Sequence, residues 1–176
     1  MLGHMLGKPR QVETESELYE AAIKTLMRRA HSVHEMKKAL ARRCEDESLI
    51  KKVLERLKSA GLIDDARYAK QFTQSRMRTR KQGEFRIARE LRARGVPDSH
   101  IESARKDAVS ENDVAAMVRS RIERKLRMTR GEVDAKKMAS LYNSLLRAGF
   151  SSDLIRKELH RATHEEVPET DPPDEE

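Results

Sequence analysis

Three groupings in this 176-residue chain have residue types suited to chemistry. Asp64 and Asp65 are adjacent acids, able to hold a divalent cation or to share a proton. They follow Gly61 closely and precede a helical run, which is where carboxylates serve as helix caps, and capping is the reading adopted. His160 and His164 stand at i, i+4 with Glu165 adjacent, a spacing that can hold a metal. Glu158 precedes both histidines, so the His-Glu-x-x-His order is not met. Cys44 is the single cysteine, with His31 and His34 upstream. A lone thiol forms no internal disulfide and no Cys-based zinc site, which suits a reducing compartment. Its place at an expected helix end marks it as a buried structural residue.

The chain has no phosphate-binding Gly-Lys-Ser/Thr loop, no dinucleotide fingerprint and no nucleophile elbow. The expectation is a protein that is not an enzyme, with no cofactor and no metal site.

What remains is charge. The formal net charge is +7, and residues 165–176 contribute seven acids with no Lys or Arg, so residues 1–164 carry +14. Such a body favours a polyanion: nucleic acid, an acidic protein groove or an anionic membrane. Two arginine-rich ridges stand out as candidate partner-binding surfaces. One comprises Arg76, Arg78, Arg80, Lys81, Arg86, Arg89, Arg92 and Arg94; the other comprises Arg119, Arg121, Arg124, Lys125 and Arg127. Arginine forks suit phosphate and carboxylate alike. With three Tyr, three Phe and no Trp, base stacking does not carry specificity. Phosphate contact or docking on an acidic protein surface fits better.

These ridges need helices to present them. Apolar residues recur at helical spacing throughout. A first helix is expected to start at a Ser16 cap and bear Leu18, Ala22, Leu26 and Ala30. Ser32 with Glu35 forms a capping box for a second, bearing Val33, Met36, Leu40 and Cys44. Asp46 to Ala60 makes a third, stopped by Gly61. The next three helices follow Asp64-Asp65, Gly83 and Pro97, with faces Tyr68/Ala69/Phe72/Met77, Ile87/Ala88/Leu91 and Ile101/Ala104/Ala108. Ser110 or Asn112 is the expected cap of a seventh helix, bearing Val114, Val118, Ile122 and Leu126. An eighth carries Met138, Leu141, Tyr142 and Leu145 to Gly149. A ninth opens at Ser151 or Ser152 and bears Leu154, Ile155 and Leu159.

The units repeat. Met36, Leu40 and Cys44 align with Ile87, Leu91 and Gly95 at an offset of 51, and these align with Leu141, Leu145 and Gly149 at an offset of 54. The same offsets superpose Ile50, Ile101 and Ile155. The expected fold is all-α, an elongated tandem array of three three-helix repeats at 15–63, 64–109 and 110–164. Residues 1–14 form a mobile start, and 165–176 an acidic disordered tail. The longest purely apolar run, Val114 to Val118, is far short of the ~20 residues a spanning helix needs, so no membrane segment is expected.

With these residues in view, the chain resembles the RecX family of bacterial recombination regulators. The resemblance rests on Gly61-Leu62-Ile63-Asp64-Asp65-Ala66-Arg67-Tyr68-Ala69, then Gly83, Arg86-Ile87, Glu90-Leu91 and Arg94-Gly95-Val96. It extends to His31-Ser32 with Glu35-Met36 and Leu40, and to Arg147-Ala148-Gly149-Phe150 with Ile155, covering about 17–162. Met36 stands where the family usually has Leu, Cys44 where a small residue or Gly is common, and the acidic tail is outside the family pattern. The resemblance implies a cytoplasmic protein without a cofactor that regulates DNA repair and the SOS response. Its implied role is to bind the RecA filament and inhibit ATPase and strand exchange. Single- or double-stranded DNA would be a weak electrostatic partner, and a monomer is the expectation. The alternatives from the residues alone are a non-sequence-specific nucleic-acid-binding helical module and a scaffold for another protein.

Overall fold

The computed structural model of the protein describes residues 12–111, 113–128 and 134–163. Among them are nine α-helices and no strand: α1 Glu15–Leu26, α2 Val33–Ala41, α3 Glu47–Ser59, α4 Asp65–Arg80, α5 Glu84–Arg92, α6 Asp98–Glu111, α7 Val114–Met128, α8 Ala135–Arg147 and α9 Ser152–Thr163.

Short polar side chains start most of these helices by satisfying N–H groups that have no partner within the helix. The Ser32 box is complete: its hydroxyl accepts from Glu35 N–H, and the Glu35 carboxylate accepts from Ser32 N–H. Asp46 caps α3, Asp134 caps α8 and Ser151 caps α9. Two expected starts differ. Thr14, not Ser16, caps α1, because Thr14 and Glu17 themselves form the Thr-x-x-Glu pair that places the first turn. Asp113 caps α7, its carboxylate accepting from Ala116 N–H. Ser110 lies inside α6 and hydrogen-bonds the Asp107 carbonyl; Asn112 lies outside the described residues.

Gly61, Gly95 and Gly149 end α3, α5 and α8 with positive φ. In each case the glycine and its successor return hydrogen bonds to the last helical turn, closing carbonyls that would otherwise be left open. Cys44 occupies the aligned position after α2, yet its φ is not positive. A cysteine would be strained there, and its N–H bonds the Leu40 carbonyl instead.

The helices gather into two compact units. Of the described residues, one takes those up to Phe72 together with Glu90–Ala104; the other takes Thr73–Arg89 and those from Arg105. In the first, α1, α2 and α3 pack on one another around Leu18, Ala22, Met36, Leu40, Ile50, Val53 and Leu57. In the second, α7, α8 and α9 do the same around Val118, Ile122, Leu141, Tyr142, Leu145, Ile155 and Leu159. The aligned triplets Leu40/Leu91/Leu145 and Ile50/Ile101/Ile155 are all buried. The hydrophobic effect thus acts on the positions that the repeat offsets selected.

Each unit also contains the same junction. In the first, the start of α2 meets the end of α5: the Ser32 hydroxyl donates to the Arg94 carbonyl at 2.6 Å. In the second, the start of α5 meets the end of α8: Gly83 N–H donates to the Ala148 carbonyl at 2.8 Å, and Phe85 N–H to the Gly149 carbonyl at 3.0 Å. Ser32 and Gly83 are equivalent under the offset of 51, and Arg94 and Ala148 under 54. The repeat therefore recurs as a docking mode as well as a sequence pattern.

Candidate functional site

The acid pair is structural. Asp64 accepts from Arg67 N–H at 2.9 Å, capping α4, and that bond holds its carboxyl below the usual range. Asp65 reaches across to α2 and accepts from Val33 N–H at 2.9 Å. One acid caps its own helix and the other caps a different one, so both are engaged in holding helix ends. Cys44 is buried in the first core with its thiol directed at the Asp46 carbonyl. His160 is exposed on α9; His164 and Glu165 lie outside the described residues. No group of three metal-ligating side chains occurs among the described residues.

Several ridge arginines are held by neighbours. Arg94 is 29% exposed; its guanidinium lies 2.7 Å from Glu35 and over the Phe72 ring. Glu35, on α2, also binds Arg29 at 3.0 Å and accepts from the Tyr68 hydroxyl at 3.3 Å. Burial alone would raise the Glu35 carboxyl, but the Arg29 and Ser32 hydrogen bonds and the charges of Arg29 and Arg94 outweigh it, and the net direction is down. Arg92 pairs with Asp98 at 2.7 Å. Arg119 bridges Asp113 and the buried Glu158, at 3.7 and 3.4 Å. These contacts fix the guanidinium groups of Arg94 and Arg119 within the fold.

The other basic residues turn outward. Arg78, Arg80 and Lys81 are exposed at the end of α4, Arg86 and Arg89 on α5, and Arg124, Lys125 and Arg127 on α7; Arg76 is half-buried on α4. Arg78, Arg80, Lys81, Arg89, Arg124 and Arg127 have no ion pair among the described residues. The first ridge is thus divided. Arg92 and Arg94 belong to the first compact unit, whereas Arg76 to Arg89 belong to the second with Arg119 to Arg127.

Within the second unit the two ridges come together. A groove of about 530 Å³ is lined by Thr79, Arg80, Lys81, Ser120, Arg121 and Arg124, floored by Ala116 and Met117. Arg121 knits its walls: it is half-buried over the Phe150 ring and donates to the Arg80 carbonyl at 3.3 Å. Its pKa is pushed down by burial and then by the charges of Arg124 and Arg86. Lys81 turns the corner at the end of α4 with φ of 52°, the one positive φ at a non-glycine among the described residues. The groove therefore concentrates like charges at close range, an arrangement suited to phosphate or carboxylate. Ser120 adds an exposed hydroxyl, which sequence reading overlooked because isolated hydroxyls in helices carry no pattern; the Thr79 hydroxyl donates to the Ser75 carbonyl at 2.7 Å.

Fold and groove together define a helical-repeat protein with a basic groove in its second unit. Residues 19–57 match the model of the first three-helix domain of RecX, and residues 64–104 that of the second. The chain is 38% identical over 138 residues to regulatory protein RecX of Halorhodospira halophila, covering 78% of this chain and 83% of that protein. To regulatory protein RecX of Prosthecochloris aestuarii it is 35% identical over 131 residues, covering 74% and 83%. The crystal structure of RecX from Lactobacillus salivarius superposes with a TM-score of 0.76 at 23% identity, covering 84% of this chain and 95% of that one. The chain belongs to the RecX family of regulatory proteins. No helix among the described residues is long and apolar enough to cross a membrane.

Proposed function

We propose that this protein is a negative regulator of homologous recombination that binds the RecA–DNA filament and inhibits its ATPase and strand exchange. Family membership carries the reading, and the basic groove supplies a surface consistent with it. In this reading the outward arginines Arg78, Arg80, Arg86, Arg89 and Arg124, with the half-buried Arg121 between them, approach acidic protein or filament phosphates. Arg94 and Arg119 hold the helices that present them. The protein acts in the cytoplasm as a monomer.

The test is RecA ATPase on single-stranded DNA with the protein titrated in. Inhibition at stoichiometric amounts supports the reading; undiminished turnover in excess protein rejects it.

A second reading, a non-sequence-specific nucleic-acid-binding module, is favoured by the like-charged groove itself. Direct DNA binding across a salt series separates the two. Tight RecA-independent binding with a steep salt slope selects the second reading.

A further inference from the structure

The groove between the end of α4 and α7 presents four cationic side chains, Arg80, Lys81, Arg121 and Arg124. None of the four has an ion pair among the described residues. Arg121 is half-buried near Arg86 and Arg124, and like charges held together in partial burial repel one another. Elsewhere in the same unit the fold does supply acids. Arg119, on the same helix as the groove residues, meets Asp113 and Glu158. At the groove itself no acid on the described helices plays that part.

The sequence contains a counter-charge. Residues 165–176 read Glu-Glu-Val-Pro-Glu-Thr-Asp-Pro-Pro-Asp-Glu-Glu, with seven acids and no base. They follow α9, which packs on α7 through the Glu158–Arg119 pair. From Glu158 to Thr163 is five residues, a rise of about 7.5 Å. The 13 residues after Thr163 can span at most roughly 40 Å. Reach is therefore ample, and the segment emerges from a helix packed on one wall of the groove.

We infer that the groove is an interaction surface for the chain's own acidic segment, residues 165–176, whose carboxylates neutralise Arg80, Lys81, Arg121 and Arg124 and must be displaced by any external polyanion. The contact is electrostatic and multivalent. It weakens as salt rises.

Zero-length carbodiimide coupling of the full chain tests this directly, because it joins a carboxylate to a lysine amine only where the two touch. The expected product is an intramolecular amide between Lys81 and an acid in 165–176, mapped by mass spectrometry in the monomer band and lost at about 1 M salt. Absence of that link, its appearance only between two copies, or preferential coupling to lysines outside the groove such as Lys24 or Lys51 would overturn the inference. A second measurement uses the full-length chain with the seven tail acids changed to amides. Its affinity for a short oligothymidylate at low salt is expected to rise about tenfold. The gain should vanish when the exposed groove residues Arg80, Lys81 and Arg124 are also changed to Gln. An unchanged affinity, or a gain that survives those changes, rejects the proposal. Neither measurement involves RecA, so failure here is distinct from failure of the proposed regulatory role.

Discussion

Glu35 and Arg94 lie 59 residues apart in sequence and 2.7 Å apart in space. The Glu35 side chain is only 15% exposed, and it gathers Arg29, Arg94, Ser32 N–H and the Tyr68 hydroxyl around one carboxylate. Such a cluster is costly to break, since the partly buried Arg94 guanidinium would lose its counter-charge and the Ser32 N–H and Tyr68 hydroxyl their acceptor.

Glu35→Ala is accordingly expected to lower stability by about 1–3 kcal/mol. Arg29→Ala, whose partner retains other donors, should cost less than Glu35→Ala. Urea unfolding followed by circular dichroism measures both. Equal and negligible shifts for the two variants would mean that the cluster is not coupled to folding.

The same carboxylate gives a pH signature. Its folded-state pKa is depressed, so its contribution is fully present above the unfolded carboxylate value of roughly 4.3 and is lost as pH falls through the lower folded value. The melting temperature of the native chain should fall in that acid window. In Glu35→Gln the fall should be shallower, and the two curves should converge at the acid end. Parallel curves from neutrality to acid would show that Glu35 titrates alike in both states.

Gly61 and Gly83 are expected to differ under substitution by alanine. At Gly83 an added Cβ overlaps the backbone of Gly149 and Phe150, and backbone cannot swing aside. At Gly61 nothing lies within 4 Å, and only its φ of +65° opposes a side chain. Gly61→Ala should cost about 1–2 kcal/mol. Gly83→Ala should cost more, because it separates α5 from the end of α8 and strains the two hydrogen bonds between them. Thermal melts of the two variants check the ordering.

For the proposed regulatory role, reversing Arg86 and Arg89 to Glu should raise the concentration for half-inhibition of RecA ATPase about tenfold, or about 1.4 kcal/mol, with helicity preserved. Both side chains are exposed on α5, and the change gives up the Arg86 bond to the Arg147 carbonyl at 3.4 Å, so helicity and melting temperature are measured alongside. Reversal of Arg121 is a poorer experiment, because its half-buried guanidinium also supports the Arg80 carbonyl and packs over Phe150. Unchanged inhibition by the Arg86/Arg89 variant would move the contact elsewhere.

Helices, their apolar faces and the repeat were legible in the sequence because they depend on local periodicity. Leu40, Leu91 and Leu145 could be aligned by counting, and each is buried. The Ser32 box was legible because capping chemistry operates within a single turn. The caps at Thr14 and Asp113 were missed where several short polar residues compete over a few positions. Sequence places Asp65 at the start of its own helix; that its carboxylate caps α2 through Val33 N–H is decided by the packing of two helices.

The arginines show the boundary most plainly. Composition by itself determined that the body is strongly basic, that its charge lies on helices and that an acidic segment follows. It could not separate Arg94, locked against Glu35, from Arg89, which has no ion pair among the described residues. Both fall outside an apolar arc, and a helical wheel records direction around one helix only. Tertiary structure decided which guanidinium groups meet a carboxylate and which are left facing solvent. It also brought Arg80 and Lys81 beside Arg121 and Arg124, forty residues further along the chain. Charge interactions act through space and depend on burial, so the electrostatic character of this surface came into existence only once the helices had packed.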